Sequence, residues 1–195
     1  MRTIKLIAAT LLFAMAAGCA VTPDYRVNFD PAVDFTAYKT YGFFDQLGTD
    51  QAGYSTLVTQ HFKAATGREM EKLGYTYTEQ DPDLLVNFNA SSEDKSEVRS
   101  RQVPAMGYGM SGYYGYRGMM YSPFPMYETQ VETVNYKVGT VNIDVVDAER
   151  KMLVWEAVAE GRLTKKAMQN PRAAIDAVVT EMFARYPSPP GAGGK

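Results

Sequence analysis

The sequence predicts an α+β fold, with an antiparallel-rich β-sheet and two helices packed on one face. In 84–90, 141–145 and 153–157 every second residue is apolar, which is the period of a half-buried strand. In 55–74 and 170–187 the apolar residues instead recur at helical spacing between capping residues. Two strands, a helix, a strand, three strands and a helix follow one another, and this grouping favours an α+β architecture.

The first half of the chain contains two short strands and a helix. Residues 25–30 alternate, and a second strand within 34–45 is centred on residues 40–44. After a polar loop, Ser55 is the expected N-cap of the first helix, and Gly74 stands just past its end.

Four strands are predicted in the second half of the chain. The first begins at residue 84, directly after the turn sequence Asp81-Pro82-Asp83, and extends to about residue 99. Gly139 separates the next two, and a turn at 147–150 precedes the last. Their predicted ranges are 128–138, 140–147 and 151–162.

A second helix is predicted to complete the fold. Asn170 is a good N-cap, and Pro171 suits the first helical position, where its missing N–H is not needed. Apolar residues then form a stripe along one face, and Pro187 is expected to end the helix.

These patterns divide the chain into successive regions. Residues 1–18 are predicted to be a signal peptide, 19–24 a short tether, and 25–187 a single α+β domain with a mobile loop insertion at 104–127. Residues 188–195, rich in Gly and Pro, are predicted to be a disordered tail.

The N-terminal segment has the three zones of a secretory signal. Arg2 and Lys5 provide positive charge, an apolar run follows, and small residues at 16–18 offer a cleavage site before Cys19. The stretch Ala-Ala-Gly-Cys resembles the lipobox of bacterial lipoproteins, in which cleavage between Gly18 and Cys19 leaves a cysteine that carries lipid. Cys19 is the only cysteine of the chain, and it occupies the position that lipidation requires.

A lipidated Cys19 would attach the protein to a lipid bilayer. Two or three acyl chains, such as palmitate, anchor a protein stably, whereas a single chain does so only marginally. The following residues are Ala20 and Val21 rather than aspartate, which by the same resemblance implies the outer membrane, with the domain facing the periplasm. Without a further cysteine, the fold is expected to hold without disulfides in an oxidising compartment.

The composition argues against nucleic-acid binding. Twenty basic residues stand against 22 acidic ones, giving a formal net charge of −2, and no basic patch dominates the sequence. The chain is long enough for one domain with a substantial hydrophobic core.

The loop at 104–127 has an unusual composition, rich in Gly, Tyr and Met and without periodicity. Three interpretations are open: a tolerated insertion at a hairpin tip, an adaptable apolar surface that contacts an envelope protein partner or a bilayer, and a Cu(I) site. The copper ligands would be thioethers from Met106, Met110, Met119, Met120 and Met126.

The sequence contains no recognisable catalytic constellation and predicts no cofactor. His61 is the single histidine, and it falls near the apolar side of the first helix, where a structural role is expected. Asp144 and Asp147 are three residues apart, so their side chains point to opposite faces of a regular strand. Asp147, like Asp81 and Asp83, is therefore interpreted as a turn residue.

Three blocks carry a family resemblance: 29–43, 81–88 and 139–161. They resemble the bacterial lipoproteins grouped as domain of unknown function 4136, including Phe43 after a Thr-Tyr pair and the Asp-Ala turn before Val154-Trp155. The resemblance implies an α+β domain in the cell envelope and transfers no catalytic residue.

Two functional hypotheses follow. The first is a non-catalytic envelope lipoprotein with a binding or structural role. The second is an envelope enzyme, such as a hydrolase, or a Met-rich copper protein, with a site that the sequence does not reveal. An enzyme would bring carboxylates together in a concave site around His61 or Asp144.

Overall fold

The computed structural model describes residues 22–50, 53, 55–104 and 127–187. The predicted signal peptide, Cys19, loop residues 105–126 and the predicted tail lie outside the described residues. Within these residues the chain forms six strands and three helices: β1 (Asp24–Phe29), β2 (Thr40–Phe43), α1 (Leu57–Lys72), β3 (Thr76–Tyr77), β4 (Leu84–Pro104), β5 (Tyr127–Asp147), β6 (Met152–Arg162), α2 (Lys165–Gln169) and α3 (Pro171–Phe183).

The six strands form one mixed sheet in the order β1-β6-β5-β4-β2-β3. β6 is antiparallel to both β1 and β5, whereas β2 is parallel to both β3 and β4. The α+β class is confirmed, but the prediction of an antiparallel-rich sheet is wrong. The prediction was based on the alternation of apolar residues in the C-terminal strands. It did not consider that α1, between β2 and β3, supplies the long crossover that parallel pairing requires.

Two predicted strands are a single strand in the structure. β5 runs unbroken through Gly139, which lies directly opposite Gly161 of β6. A Cβ atom at position 139 would lie 2.8 Å from a methyl carbon of Leu163, so glycine serves close packing here rather than a turn.

The first helix begins one residue later than predicted. Thr56 is the N-cap, and its hydroxyl accepts a hydrogen bond from the Thr59 N–H at 3.1 Å. Gly74, just beyond the helix, has a φ of 92°, a left-handed conformation that glycine adopts without strain. Glu69 interrupts the apolar stripe and is buried, and its carboxylate accepts hydrogen bonds from Thr180 and Lys72, each at 2.8 Å.

The last helix begins as predicted and ends earlier. The Asn170 side chain accepts from the Ala173 N–H at 3.3 Å, and Pro171 occupies the first helical position. The helix ends at Phe183, before Pro187, and a short helix that the sequence analysis missed, α2, precedes it. The described residues thus contain three helices, whereas the sequence predicts two.

The hydrophobic core is rich in aromatic residues. Trp155 is fully buried, with its ring centroid 5.0 Å from those of both Phe183 and Tyr186. Phe62 of α1 stacks on Phe88 of β4 at 5.2 Å. The core thus joins both long helices to strands at the centre of the sheet.

The chain divides into two compact units. The larger contains the described residues up to Glu93 and from Lys137 onward, and it holds the hydrophobic core. The smaller, Asp94–Tyr136, consists of the distal parts of β4 and β5 among the described residues, and most of its side chains are exposed, including Val98 and Val131.

Candidate functional site

The larger unit contains an open cleft of about 660 Å³. It lies between the sheet, at the end of β6, and parts of all three helices. Its volume falls in the range of roughly 300–1,000 Å³ that is typical of small-molecule sites. We refer to it below as the apolar cleft, because most of its lining residues are apolar.

The floor of the cleft arises from a gradient of side-chain size along β6. Trp155, Ala157, Ala159 and Gly161 are alternate residues, so they project from the same face of the sheet. The first of them fills the core, whereas the last two line the cleft. Because β5 presents Gly139 opposite Gly161, the sheet has no side chain at this pair, and neighbouring chain segments can pack directly on its backbone.

Chain segments next to the sheet complete this end of the cleft. Pro23, immediately before β1, packs so closely on Gly161 that a Cβ there would lie 3.1 Å from the proline Cα atom. Leu163, just after β6, lies over Gly139 in the same way. Both residues line the cleft, and Pro23 places the N-terminal end of the described chain at its wall.

The helices supply the remaining apolar walls. Ala174 and Val178, one turn apart on α3, line the cleft together with Met168 of α2 and Val58 at the start of α1. Met168 is 49% exposed and Val58 37%, while Leu57 beside it is 71% exposed. Exposed apolar residues therefore continue from the interior of the cleft to its rim.

A polar network borders the cleft near the start of α1. The hydroxyls of Thr49 and Thr59 lie 2.7 Å apart, and Thr59 donates to Asp50 at 2.8 Å. Asp50 also accepts from the Leu47 N–H at 3.1 Å, and the Thr56 hydroxyl donates to the Thr49 carbonyl at 3.1 Å. These groups hold the loop before α1, and their hydrogen bonds are made with one another.

The opposite border of the cleft is basic. Between Glu160 and Asp176 the sequence contains four basic residues and no acidic one. We call residues 162–172 the basic segment; it contains α2 and borders the cleft through Arg162, Leu163, Ala167, Met168 and Pro171. Its lysines and Arg172 are exposed. In a chain of net negative charge, this is a local positive surface.

The predicted candidates that fall within the described residues do not meet at this cleft. His61 is half-buried on α1 and is not part of the cleft lining. Among the described residues no three His, Cys, Asp or Glu side chains are grouped so that they could hold a metal ion. Gly18, Cys19 and the five loop methionines, 106, 110, 119, 120 and 126, lie outside the described residues.

Asp144 and Asp147 occupy different environments, as their spacing predicts. Asp144 is half-buried directly opposite Glu156, a pairing that the sequence analysis missed. Burial raises the pKa of Asp144, and the Glu156 carboxylate raises it further. Asp147 is buried at the end of β5; burial opposes its ionisation, but hydrogen bonds from the Arg150 N–H and the Tyr38 hydroxyl, both at 2.8 Å, lower its pKa overall.

The turn before β4 has an architectural role. Asp83 accepts hydrogen bonds from the Lys39 N–H at 2.7 Å and the Thr40 N–H at 2.9 Å, which lower its pKa, and its carbonyl accepts from the Ala148 N–H at 3.0 Å. Asp83 thereby ties the starts of β2 and β4 to the turn after β5. Asp81 adopts a left-handed φ of 45° in the same turn.

Sequence reasoning missed the cleft, although part of its signal was present. The alternate residues of β6 shrink from tryptophan through alanine to glycine, which indicates that the covering layer thins along the strand. The proline and leucine that pack over the glycines, however, are recognisable only once strand pairing is known. No helix among the described residues is long and apolar enough to cross a membrane.

The fold of the chain is similar to those of solved protein structures. No curated protein matches the chain. A PDZ domain protein from Parabacteroides distasonis has a TM-score of 0.54 and 14% identity; the match covers 90% of this chain and 39% of that protein, so this chain spans well under half its length. A DUF4136 family protein from Bacteroides thetaiotaomicron has a TM-score of 0.51 and 16% identity, with 87% of this chain and 98% of that one covered.

Both structural likenesses concern the fold alone, because their sequence identities are low. The family is established by the sequence, because the protein-family model described as domain of unknown function (DUF4136) matches residues 25–188. The family predicted from the three sequence blocks is therefore confirmed, and the chain belongs to the DUF4136 family.

Proposed function

We propose that this protein is a lipid-anchored protein of the cell envelope whose domain binds an apolar ligand without catalysing a reaction. The observation that carries the binding role is the apolar cleft. The anchor rests on Cys19 and the small residues before it, and the outer membrane, with the domain facing the periplasm, remains its proposed location.

The lining of the cleft supports binding rather than catalysis. Catalysis requires a nucleophile or an acid–base pair held near a reacting atom. The carboxylate at this cleft, Asp50, accepts hydrogen bonds from Thr59 and from a backbone N–H, and it stabilises the loop. The paired carboxylates Asp144 and Glu156 do not line the cleft. An apolar enclosure with few polar groups suits a ligand held by burial of its own apolar surface.

We also propose that α1 and α3 lie on the same face of the sheet and form the cover of the cleft. The Arg68 guanidinium is 2.6 Å from the Asp176 carboxylate, and Thr180 donates to Glu69, so the two helices contact each other. Phe62 and Phe183, one from each helix, belong to the same core cluster.

Binding at the cleft can be tested with an apolar fluorescent probe such as N-phenyl-1-naphthylamine. Ala174→Trp places an indole in the cleft and is expected to weaken probe binding at least tenfold. Ala177→Trp adds the same side chain at an exposed position of the same helix and should bind as the wild type does. A thermal melt of each variant checks folding. Equal probe binding by wild type and both variants would exclude the cleft as the site.

The anchor is tested separately by membrane fractionation. Cys19→Ser should abolish lipid modification of the protein, so that the acyl mass is lost and detergent partitioning changes. Ala20→Ser places the same side chain one residue later and should keep the lipid. An unchanged mass and partitioning of the Cys19→Ser variant would refute the anchor without bearing on the cleft.

A further inference from the structure

We infer that the apolar cleft receives an acyl chain of an anionic phospholipid from the membrane to which the protein is anchored. This inference rests on the proposed anchor at Cys19 and names the ligand of the proposed binding site. It depends on three features: the position of the cleft relative to Cys19, the apolar rim and the basic segment.

The cleft lies within short reach of the anchor. Pro23 is part of its wall, and it stands four positions after Cys19 in the sequence. Four residues span at most about 14 Å even when fully extended. A lipid on Cys19 therefore holds this wall of the cleft close to the surface of the bilayer, whatever conformation the intervening residues adopt.

The rim of the cleft is suited to the boundary between headgroups and acyl chains. Leu57, Val58 and Met168 are exposed apolar residues, and the last two continue into the cleft lining. Such residues at the edge of a water-soluble domain are costly in water and are stabilised by partial insertion into a membrane interface. They offer an acyl chain a continuous apolar path from the bilayer to the interior of the cleft.

The basic segment provides the preference for an anionic lipid. Lys165, Lys166 and Arg172 are exposed on α2 and at the start of α3, next to residues that form the cleft wall. Basic clusters near a membrane attract anionic headgroups. A phosphate at this border and an acyl chain in the cleft would satisfy both parts of an amphipathic lipid.

The interior of the cleft fits the chemistry of an acyl chain. An acyl chain makes no hydrogen bonds, so it requires walls without unpaired polar groups. Pro23 and Leu163, which pack on the glycine pair, line the cleft together with the small apolar side chains Ala159 and Ala174. The neighbouring threonine hydroxyls are hydrogen-bonded to one another and to Asp50.

Photocrosslinking from a labelled lipid tests the inference. The full lipidated protein is reconstituted into vesicles of phosphatidylethanolamine and phosphatidylglycerol, in which the phosphatidylglycerol carries a diazirine on one acyl chain. After irradiation, mass spectrometry maps the modified residues. We expect the label on α3 around Ala174–Val178 and on Met168, and at least a fivefold lower yield when the diazirine is carried by phosphatidylethanolamine instead.

Matched variants separate the acyl chain from the headgroup. Ala174→Trp should lower labelling within the cleft at least tenfold, whereas Ala177→Trp should not. The double substitution Lys165→Glu with Lys166→Glu should remove the preference for phosphatidylglycerol. Lys151→Glu makes one charge reversal of the same kind just before the opposite end of β6, roughly 35 Å along the strand from Arg162, and should keep that preference. If a variant fails to fold, the labelling map of the wild type still decides the question.

Several outcomes would overturn the inference. Label confined to residues beside Cys19 would mean that the domain only touches the bilayer. If no residue carries the lipid label, the ligand of the cleft is not a phospholipid and belongs to another chemical class. Cleft labelling only when the protein's own anchor is metabolically labelled with a diazirine fatty acid would assign the cleft to that anchor. The intact mass of the purified protein reports lipidation independently, so a failure of the anchor is distinguishable from a failure of the cleft.

Discussion

Replacing Asp144 with asparagine is expected to stabilise the protein at neutral pH. Its carboxylate is half-buried and directly opposite Glu156 in an antiparallel pair, and both effects raise its pKa. Cross-strand pairs of this kind change stability by roughly 0.2–1 kcal/mol, and like charges directly opposite are unfavourable. For a domain of this size, 1 kcal/mol corresponds to about 2–4 °C in melting temperature. We therefore expect Asp144→Asn to raise the melting temperature by at most about 4 °C.

The effect should depend on pH with a defined sign. Because folding raises the Asp144 pKa, the folded protein binds this proton more tightly than the unfolded chain does. The wild type consequently loses stability as the pH rises from the unfolded value, about 3.9, through the higher folded value. The stability gain of Asp144→Asn should be absent near pH 4 and should reach its full size at neutral pH, measured by urea denaturation at a series of pH values.

Asp83→Asn is the matched control with the opposite sign. Backbone hydrogen bonds lower the Asp83 pKa, so its contribution is present above the unfolded pKa and is lost as the pH falls through the folded pKa. Asp83→Asn should thus destabilise the protein at neutral pH.

Adding Glu156→Gln to Asp144→Asn should bring little further gain in stability, because the repulsion between the two carboxylates is already removed. Destabilisation by Asp144→Asn at neutral pH, or a gain independent of pH, would refute the reasoning.

Other predictions concern the core, the histidine and the loop. Trp155→Ala should cost about 3–5 kcal/mol in unfolding free energy because it empties a fully buried site, and a urea-denaturation loss below about 1 kcal/mol would contradict this packing. His61→Gln should change stability by about 1 kcal/mol or less. Loss of the cellular phenotype with unchanged unfolding would instead indicate chemistry at this residue. A short Gly-Ser turn in place of 104–126 should leave the melting temperature unchanged or higher, since closing a long loop is entropically unfavourable. Loss of the folded state would show instead that the loop belongs to the core.

Local sequence signals were sufficient for most elements of the fold. Asn170 and Pro171 mark the start of α3 because capping is decided by neighbouring residues. The alternation in β1 and β6 follows from one face that packs against the core. Where the predictions differ, long-range packing is the reason. Gly139 lies within a continuous strand, and a glycine stands there because Leu163 occupies the space that a side chain would take.

The candidate site was less accessible to sequence reasoning than the fold. The absence of a catalytic motif was visible, but the cleft depends on β1 and β5 flanking β6, and pairing partners are not encoded locally. The opposition of Asp144 and Glu156 depends on the register of β5 and β6. An irregularity between Val145 and Val146 shifts this register by one residue, so the turn alone does not reveal the pairing. The two-residue strand β3 was missed because a segment this short has no periodicity.

The pairing of β1 with β6 has a consequence for how the chain folds as it is synthesised. Among the strands of the described residues, β1 is made first and its partner is made last: Phe29 lies opposite Trp155. β1 therefore has no strand to pair with until the chain is synthesised through residue 162. Folding dominated by such distant contacts is slow, and an unpaired strand edge is prone to aggregation meanwhile. We expect the newly made chain to depend on a holding chaperone for longer than a domain of the same size whose first strands pair with each other.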